Sequence, residues 1–135
     1  MTDRKLFISS HDHKRLSLLL AAFRNGSRPP TVRRLQEELE RAIILAPHEM
    51  PPRVVRLDSR VTFEDLTDGS VECYTLTLPE QANADEHRLS ILAPIGTALL
   101  GYAEGDELDW ETPGGVRRLR ILTVDQTIVA EPVHV

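Results

Sequence analysis

The chain has 135 residues, 41% hydrophobic and 27% charged, with a formal net charge of −5. That composition supports one folded domain, or a small domain with an appendage, and excludes wholesale disorder. No apolar run reaches the ~20 residues of a membrane-spanning helix, Met1 to Lys5 lacks a signal-type apolar region behind it, and the single Cys73 excludes an internal disulfide, so the expected location is the reducing cytoplasm.

Charge is uneven along the chain. Residues 1–50 hold nine Lys/Arg against six Asp/Glu, and residues 51–135 hold seven against fifteen. A net of +3 followed by −8 points to two units, 1–50 and 51–135, facing different surroundings. The acidic larger unit excludes a protein that wraps nucleic acid with its whole surface.

The first unit reads as two helices. Ser9 followed by Asp12 fits a capping box, and Leu16, Leu19, Leu20 and Phe23 then recur at helical spacing. Asn25-Gly26-Ser27 stops that helix before Pro29-Pro30. Thr31 is positioned to cap a second helix, whose stripe is Val32, Leu35, Leu39, Ala42, Ile43 and Ala46. Two such helices joined by a short turn form an antiparallel hairpin, a short coiled coil. Each has roughly 14 or 15 residues and is about 21–23 Å long. Pro47, Pro51 and Pro52 close the unit.

From Arg53 the period changes to that of strands. Val55, Leu57, Val61 and Phe63 suggest extended chain, Asp65 to Gly69 a turn, and Val71 to Leu78 a strand. Leu89-Ser90-Ile91 is a short strand and Pro94 to Leu100 a short helix with Gly101 beyond its end. Glu107 to Thr112 and Val116 to Val124 form a hairpin around Pro113-Gly114-Gly115. The second unit is therefore mainly antiparallel strands with one short helix, an α+β class.

Three stretches carry a resemblance. Leu89 to Gly101, and Glu104 to Glu107 with Trp110 to Gly115, resemble the C-terminal part of the Gre transcript-cleavage factors. Glu49 to Val55 and Ser59 to Phe63 resemble a narrower subfamily, Rnk, regulator of nucleoside diphosphate kinase. The resemblance implies an FKBP-like C-terminal domain that docks on the rim of the secondary channel of bacterial RNA polymerase. In Gre factors a long coiled coil enters the channel, and acids at its tip help hold a catalytic magnesium ion.

The residues for that chemistry are missing here. Magnesium takes oxygen ligands, commonly carboxylates. From Arg24 to Leu35 the sequence has Arg24, Arg28, Arg33 and Arg34 and no acid. Glu37 and Glu38 read as solvated helix-face charges behind the tip. The hairpin is also much shorter than those of Gre factors. The expectation is a polymerase-binding transcription regulator without catalytic residues, cofactor or small-molecule substrate, coming near nucleic acid only through the polymerase. Its polymerase contact falls on Leu92, Ala93, Pro94 and Ile95, where Gre factors often carry an acid at the position of Leu92 and Ser at that of Ala93. Pro94 is equally suited to opening the helix on its fixed φ. The tip arginines Arg24 and Arg28 suit an acidic protein surface, a phosphate, or simple solubility.

Other readings carry less. His11, Asp12 and His13 alternate in direction and have no third His or Cys nearby, which argues against a metal site. Pro113-Gly114-Gly115 lacks the strand-to-helix context and lysine of a phosphate loop, which argues against kinase activity. Prolyl isomerisation, the activity of FKBP enzymes, calls for a pocket lined heavily with aromatics. The second unit holds only Phe63, Tyr74, Tyr102 and Trp110. An adaptor that affects nucleoside diphosphate kinase through another partner is the remaining alternative.

Overall fold

The computed structural model describes residues 6–23 and 28–126. In chain order these form β1 (Phe7–Ser9), α1 (Ser10–Ala21), α2 (Pro30–Arg41), β2 (Ile43–Leu45), β3 (Ser59–Asp65), β4 (Val71–Thr77), β5 (Arg88–Ser90), α3 (Pro94–Leu99), β6 (Glu107–Thr112) and β7 (Gly115–Gln126).

The Ser9 hydroxyl accepts the Asp12 backbone N–H at 3.1 Å, the bond the capping pattern requires. Leu16 and Leu20 of α1, with Val32, Leu35 and Leu39 of α2, are buried. The expected turn at Asn25-Gly26-Ser27 lies outside the described residues. Thr31 does not cap α2. The helix begins at Pro30 behind Pro29, without a side-chain cap, because proline's missing N–H costs nothing at the first position. Each helix has 12 residues, so each is about 18 Å long at ~1.5 Å per residue.

The stripe drawn through Ala42, Ile43 and Ala46 is not helical. Ala42 turns to extended backbone, the Ile43 N–H donates to the Leu6 carbonyl at 2.8 Å, and Ile43–Leu45 pairs in parallel with Phe7–Ser9. β-Branched Ile43 and Ile44 suit a strand, and β1 supplies an edge from far back in the sequence.

The second sheet has the order β5-β4-β3-β7-β6. Its pairs are antiparallel except β4–β5, which is parallel. Ser59, Val61, Phe63 and Asp65 alternate onto the buried face of β3. On β7, Leu119 and Ile121 point inward, and then Val124 does. The odd-to-even switch follows from a bulge: Thr62 faces Thr123, whereas Phe63 faces Ile121. A single hydrophobic cluster runs from Leu6, Leu16 and Leu35 to Phe63, Leu99 and Ile121, so helices and sheet share one core.

Asp12 and Gly101 mark two of the places where they meet. Buried Asp12 accepts the Leu57 N–H at 3.0 Å through one oxygen and meets Arg15 at 3.4 Å through the other; Arg15 also reaches Asp58 at 3.2 Å. At Gly101, with φ +84°, a Cβ would stand 1.6 Å from Leu6 Cδ1, so only glycine lets Leu6 seat there.

Burial pushes the Asp12 carboxyl above its ordinary value of 3.8, against the opposing pull of the Leu57 N–H and of Arg15, Arg56 and His11. A raised folded-state pKa means protonation favours the fold, so this contribution is full below 3.8 and fades as pH rises through the raised value. Asp12→Asn keeps an acceptor for Leu57 and abolishes the titration. In urea unfolding, the stability of D12N relative to the parent should rise with pH across that window; a pH-independent gap would refute the assignment. Leu35→Ala, at a fully buried position, should cost about 2–5 kcal/mol. Leu18→Ala, 71% exposed, should change stability by less than about 0.5 kcal/mol in the same assay.

Candidate functional site

Leu92 to Ile95 forms the tight link from β5 into α3. The Leu92 N–H donates to the Ser90 hydroxyl at 3.0 Å, the Ala93 N–H to the Ser90 carbonyl at 3.0 Å, and the Thr97 N–H to the Ala93 carbonyl at 3.0 Å. The buried Thr97 hydroxyl donates to the Ile91 carbonyl at 2.6 Å. A Cβ on Gly96 would lie 2.2 Å from the Ser90 carbonyl oxygen, so the helix packs against the strand end at glycine distance. Pro94 is exposed, while Leu92, Ala93 and Ile95 are half-buried, with Leu92 and Ile95 packed on the core. The link offers an uncharged, apolar ridge on a fixed backbone.

Ile95 also lines a cavity of about 140 Å³ with Phe63, Tyr74, Leu89, Trp110 and Leu119, edged by Asp65, Ser70 and Glu72. Reading the sequence did not reveal this site. Phe63, Tyr74 and Trp110 stand on three different strands and meet only through the registers of β3, β4, β7 and β6. The signal was present in strand alternation, but which strands neighbour one another was not. The Phe63 and Tyr74 rings are 6.2 Å apart. The Tyr74 hydroxyl donates to Glu72 at 2.9 Å, and that bond holds its pKa above the ordinary phenol value. Burial pushes the Asp65 carboxyl up, but hydrogen bonds from Arg117 and the Thr67 N–H outweigh it and hold Asp65 below the usual carboxylate value. The Trp110 indole nitrogen is buried and has no acceptor among the described residues.

Of the two tip arginines, Arg24 lies outside the described residues. Arg28 is half-buried and ties the residue after α1 to α2. It donates to the Phe23 carbonyl at 3.3 Å and to Gln36 Oε1 at 3.2 Å, and its own carbonyl accepts from Arg33 at 3.1 Å. A second cavity of about 270 Å³ lies between the helices, between His13, Ser17 and Leu20 on one side and Gln36, Leu39 and Glu40 on the other. His11 is exposed, and Asp12 is committed to Leu57. Among the described residues no group of three His, Cys, Asp or Glu is arranged to hold a metal ion. No described helix is long and apolar enough to cross a membrane.

Residues 50–126 match the family model "Transcription elongation factor, GreA/GreB, C-term". The chain belongs to the GreA/GreB family. Residues 4–45 match "Rnk N-terminus", the subfamily that the sequence resembles. The regulator of nucleoside diphosphate kinase of Escherichia coli (strain K12) is 40% identical over 116 residues, covering 86% of this chain and 85% of that protein. The elongation factor GreA of Geobacillus kaustophilus is 36% identical over 93 residues, 69% of this chain; the match spans only 59% of that GreA. A solved GreA/GreB elongation factor from Nitrosomonas europaea superposes with a TM-score of 0.76 at 41% identity, covering 91% of this chain and 99% of that one. Within the GreA/GreB fold, then, this chain combines the C-terminal sheet with helices of 12 residues.

The link predicts a contrast. Gly96→Ala drives a Cβ into backbone and should cost about 1–3 kcal/mol or more in thermal unfolding. Pro94→Ala, exposed, should cost less than about 1 kcal/mol, which makes it usable as a surface probe.

Proposed function

We propose that this protein is a transcription regulator that binds RNA polymerase at the secondary-channel rim, in the place of Gre factors, without stimulating transcript cleavage. The observation that carries this reading is a Gre-type C-terminal unit joined to helices of only 12 residues. On it, residues 51–135 form an FKBP-like docking domain and residues 1–50 a short coiled-coil hairpin, acting in the cytoplasm.

A cleavage factor must bring carboxylates to a magnesium ion inside the channel. Helices of about 18 Å stop well short of a point that longer coiled coils reach. The described residues that follow the turn carry Arg28, Arg33 and Arg34, whose charge repels a cation. Glu38 is paired with Arg41 at 3.5 Å, back along the helix. Docking then rests on Leu92, Ala93, Pro94 and Ile95, with apolar contact in place of the acid common at the first of these positions in Gre factors.

A backtracked elongation complex incubated with the protein should keep its transcript intact. Excess protein should slow cleavage stimulated by a Gre factor, and more Gre factor should restore it, as mass action on one site requires. Ile95→Asp sets a charge against an apolar contact and should weaken polymerase binding by about 2 kcal/mol, roughly 30-fold. Ile95 is half-buried on the core, so the variant's thermal unfolding is measured alongside, and the exposed Pro94→Ala is the companion expected to leave the fold intact. Binding to polymerase that leaves Gre-stimulated cleavage untouched at every ratio would overturn the shared-site reading.

A further inference from the structure

We propose that the outer edge of β2 pairs with the same edge of a second copy of this chain, antiparallel, with Ile44 opposite Ile44 on a twofold axis. The edge comes first. β2 pairs with β1 on one side, and among the described residues no strand lies on its other side. The Ile43 N–H donates to the Leu6 carbonyl at 2.8 Å, so residue 43 turns its backbone groups toward β1. Strand alternation turns the N–H and C=O of Ile44 the opposite way, outward. The side chains there are aliphatic and open to solvent, Ile43 37% exposed and Ile44 47%. Edge strands are commonly blunted by lysine or proline, and Ile43 to Leu45 carries neither.

Sequence then selects the occupant. Residues 42–46 read Ala-Ile-Ile-Leu-Ala, nearly the same in both directions. Antiparallel pairing about Ile44 sets Ile43 against Leu45 and Ala42 against Ala46, so aliphatic side chains meet and no charge is buried between them. The middle residue of this near-palindrome is the one whose backbone groups face outward. Two such residues opposed exchange two hydrogen bonds. The flanks are complementary as well. Glu49 folds back so that its carboxylate accepts the Ala46 N–H at 3.1 Å. Arg41, one residue before Ala42, has a side chain 69% exposed that makes only a 3.5 Å pair with Glu38. With Ala42 opposite Ala46, each Arg41 comes beside Glu49 of the other copy. A twofold contact uses each of these features twice, whereas an edge built for a foreign strand needs no such symmetry. The inference does not rest on polymerase binding.

Sedimentation velocity of the full-length chain tests the pairing. β2 has three residues, so the contact is small and the dimer weak, with Kd on the order of 100 μM. The weight-average mass should therefore rise from one chain toward two between about 5 μM and about 1 mM. Ile44→Lys sets like charges opposite each other and should weaken association by about tenfold or more, and Ile44→Glu should do the same. An equal mixture of those two variants should pair again, because lysine then faces glutamate across the axis. Arg41→Glu should weaken association several-fold by facing Glu49 with a like charge. Leu18→Lys, at the most exposed of the large apolar side chains but away from β2, should leave association unchanged. Each variant is compared with the parent in thermal unfolding. A single chain at every concentration of the parent would overturn the proposal. So would association that Ile44→Lys leaves intact, or a mixture of the two Ile44 variants that stays unpaired.

Discussion

The carboxylate of Asp12 ties the first turn of α1 to the chain just ahead of β3. It sits in the first turn of α1 and takes the Leu57 N–H, a backbone donor that would otherwise be buried without a partner. Fixing that turn fixes where α1 lies, and Leu16 and Leu20 then present a surface on which Leu35 and Leu39 close. Leu6, one residue ahead of β1, is seated over Gly101 at the far end of α3. The helices are therefore not a loosely tethered appendage, because they contribute to the same hydrophobic cluster as the strands.

The same arrangement explains why the apolar link at Leu92 to Ile95 keeps its shape without charged partners. Ser90 accepts two of its N–H groups, Thr97 ties back to Ile91, and Gly96 allows the helix to touch the strand end. Rigidity comes from backbone bonds and close contact, leaving Pro94 free to meet solvent or a partner. Preorganised apolar surfaces of this kind lose little entropy on association.

Much of this was legible in the residues. The capping serine, the buried faces of both helices, the Asp-Gly turn, the strands through Val61 and Phe63 and from Val71, and the proline-opened helix all follow from local chemistry, whereas Val55 and Leu57, also read as extended, lie ahead of β3. What failed was non-local. The helical stripe gave way after Arg41 because β1, more than thirty positions earlier, offered Ile43 to Leu45 an edge to pair with. The acceptors of Arg28, the Phe23 carbonyl and Gln36, lie five and eight positions away in the sequence, so its own neighbours do not reveal them. The scarcity of aromatics suggested that no aromatic pocket existed, yet sheet register gathers three of them in one place.

The parallel pairing of β1 with β2 has a consequence for how such proteins diversify. Both ends of the helical segment are clasped side by side, with Phe7 opposite Ile43 and Ser9 opposite Leu45. Everything beyond that clasp is an excursion that leaves from and returns to one place. Matched turns can be inserted into or trimmed from both helices at the distal end while the seam at Asp12 and the seat of Leu6 stay untouched. Reach thus becomes a dial that evolution can turn in steps of about 5.4 Å, one helical turn at a time, separately from the surface that decides where the protein lands.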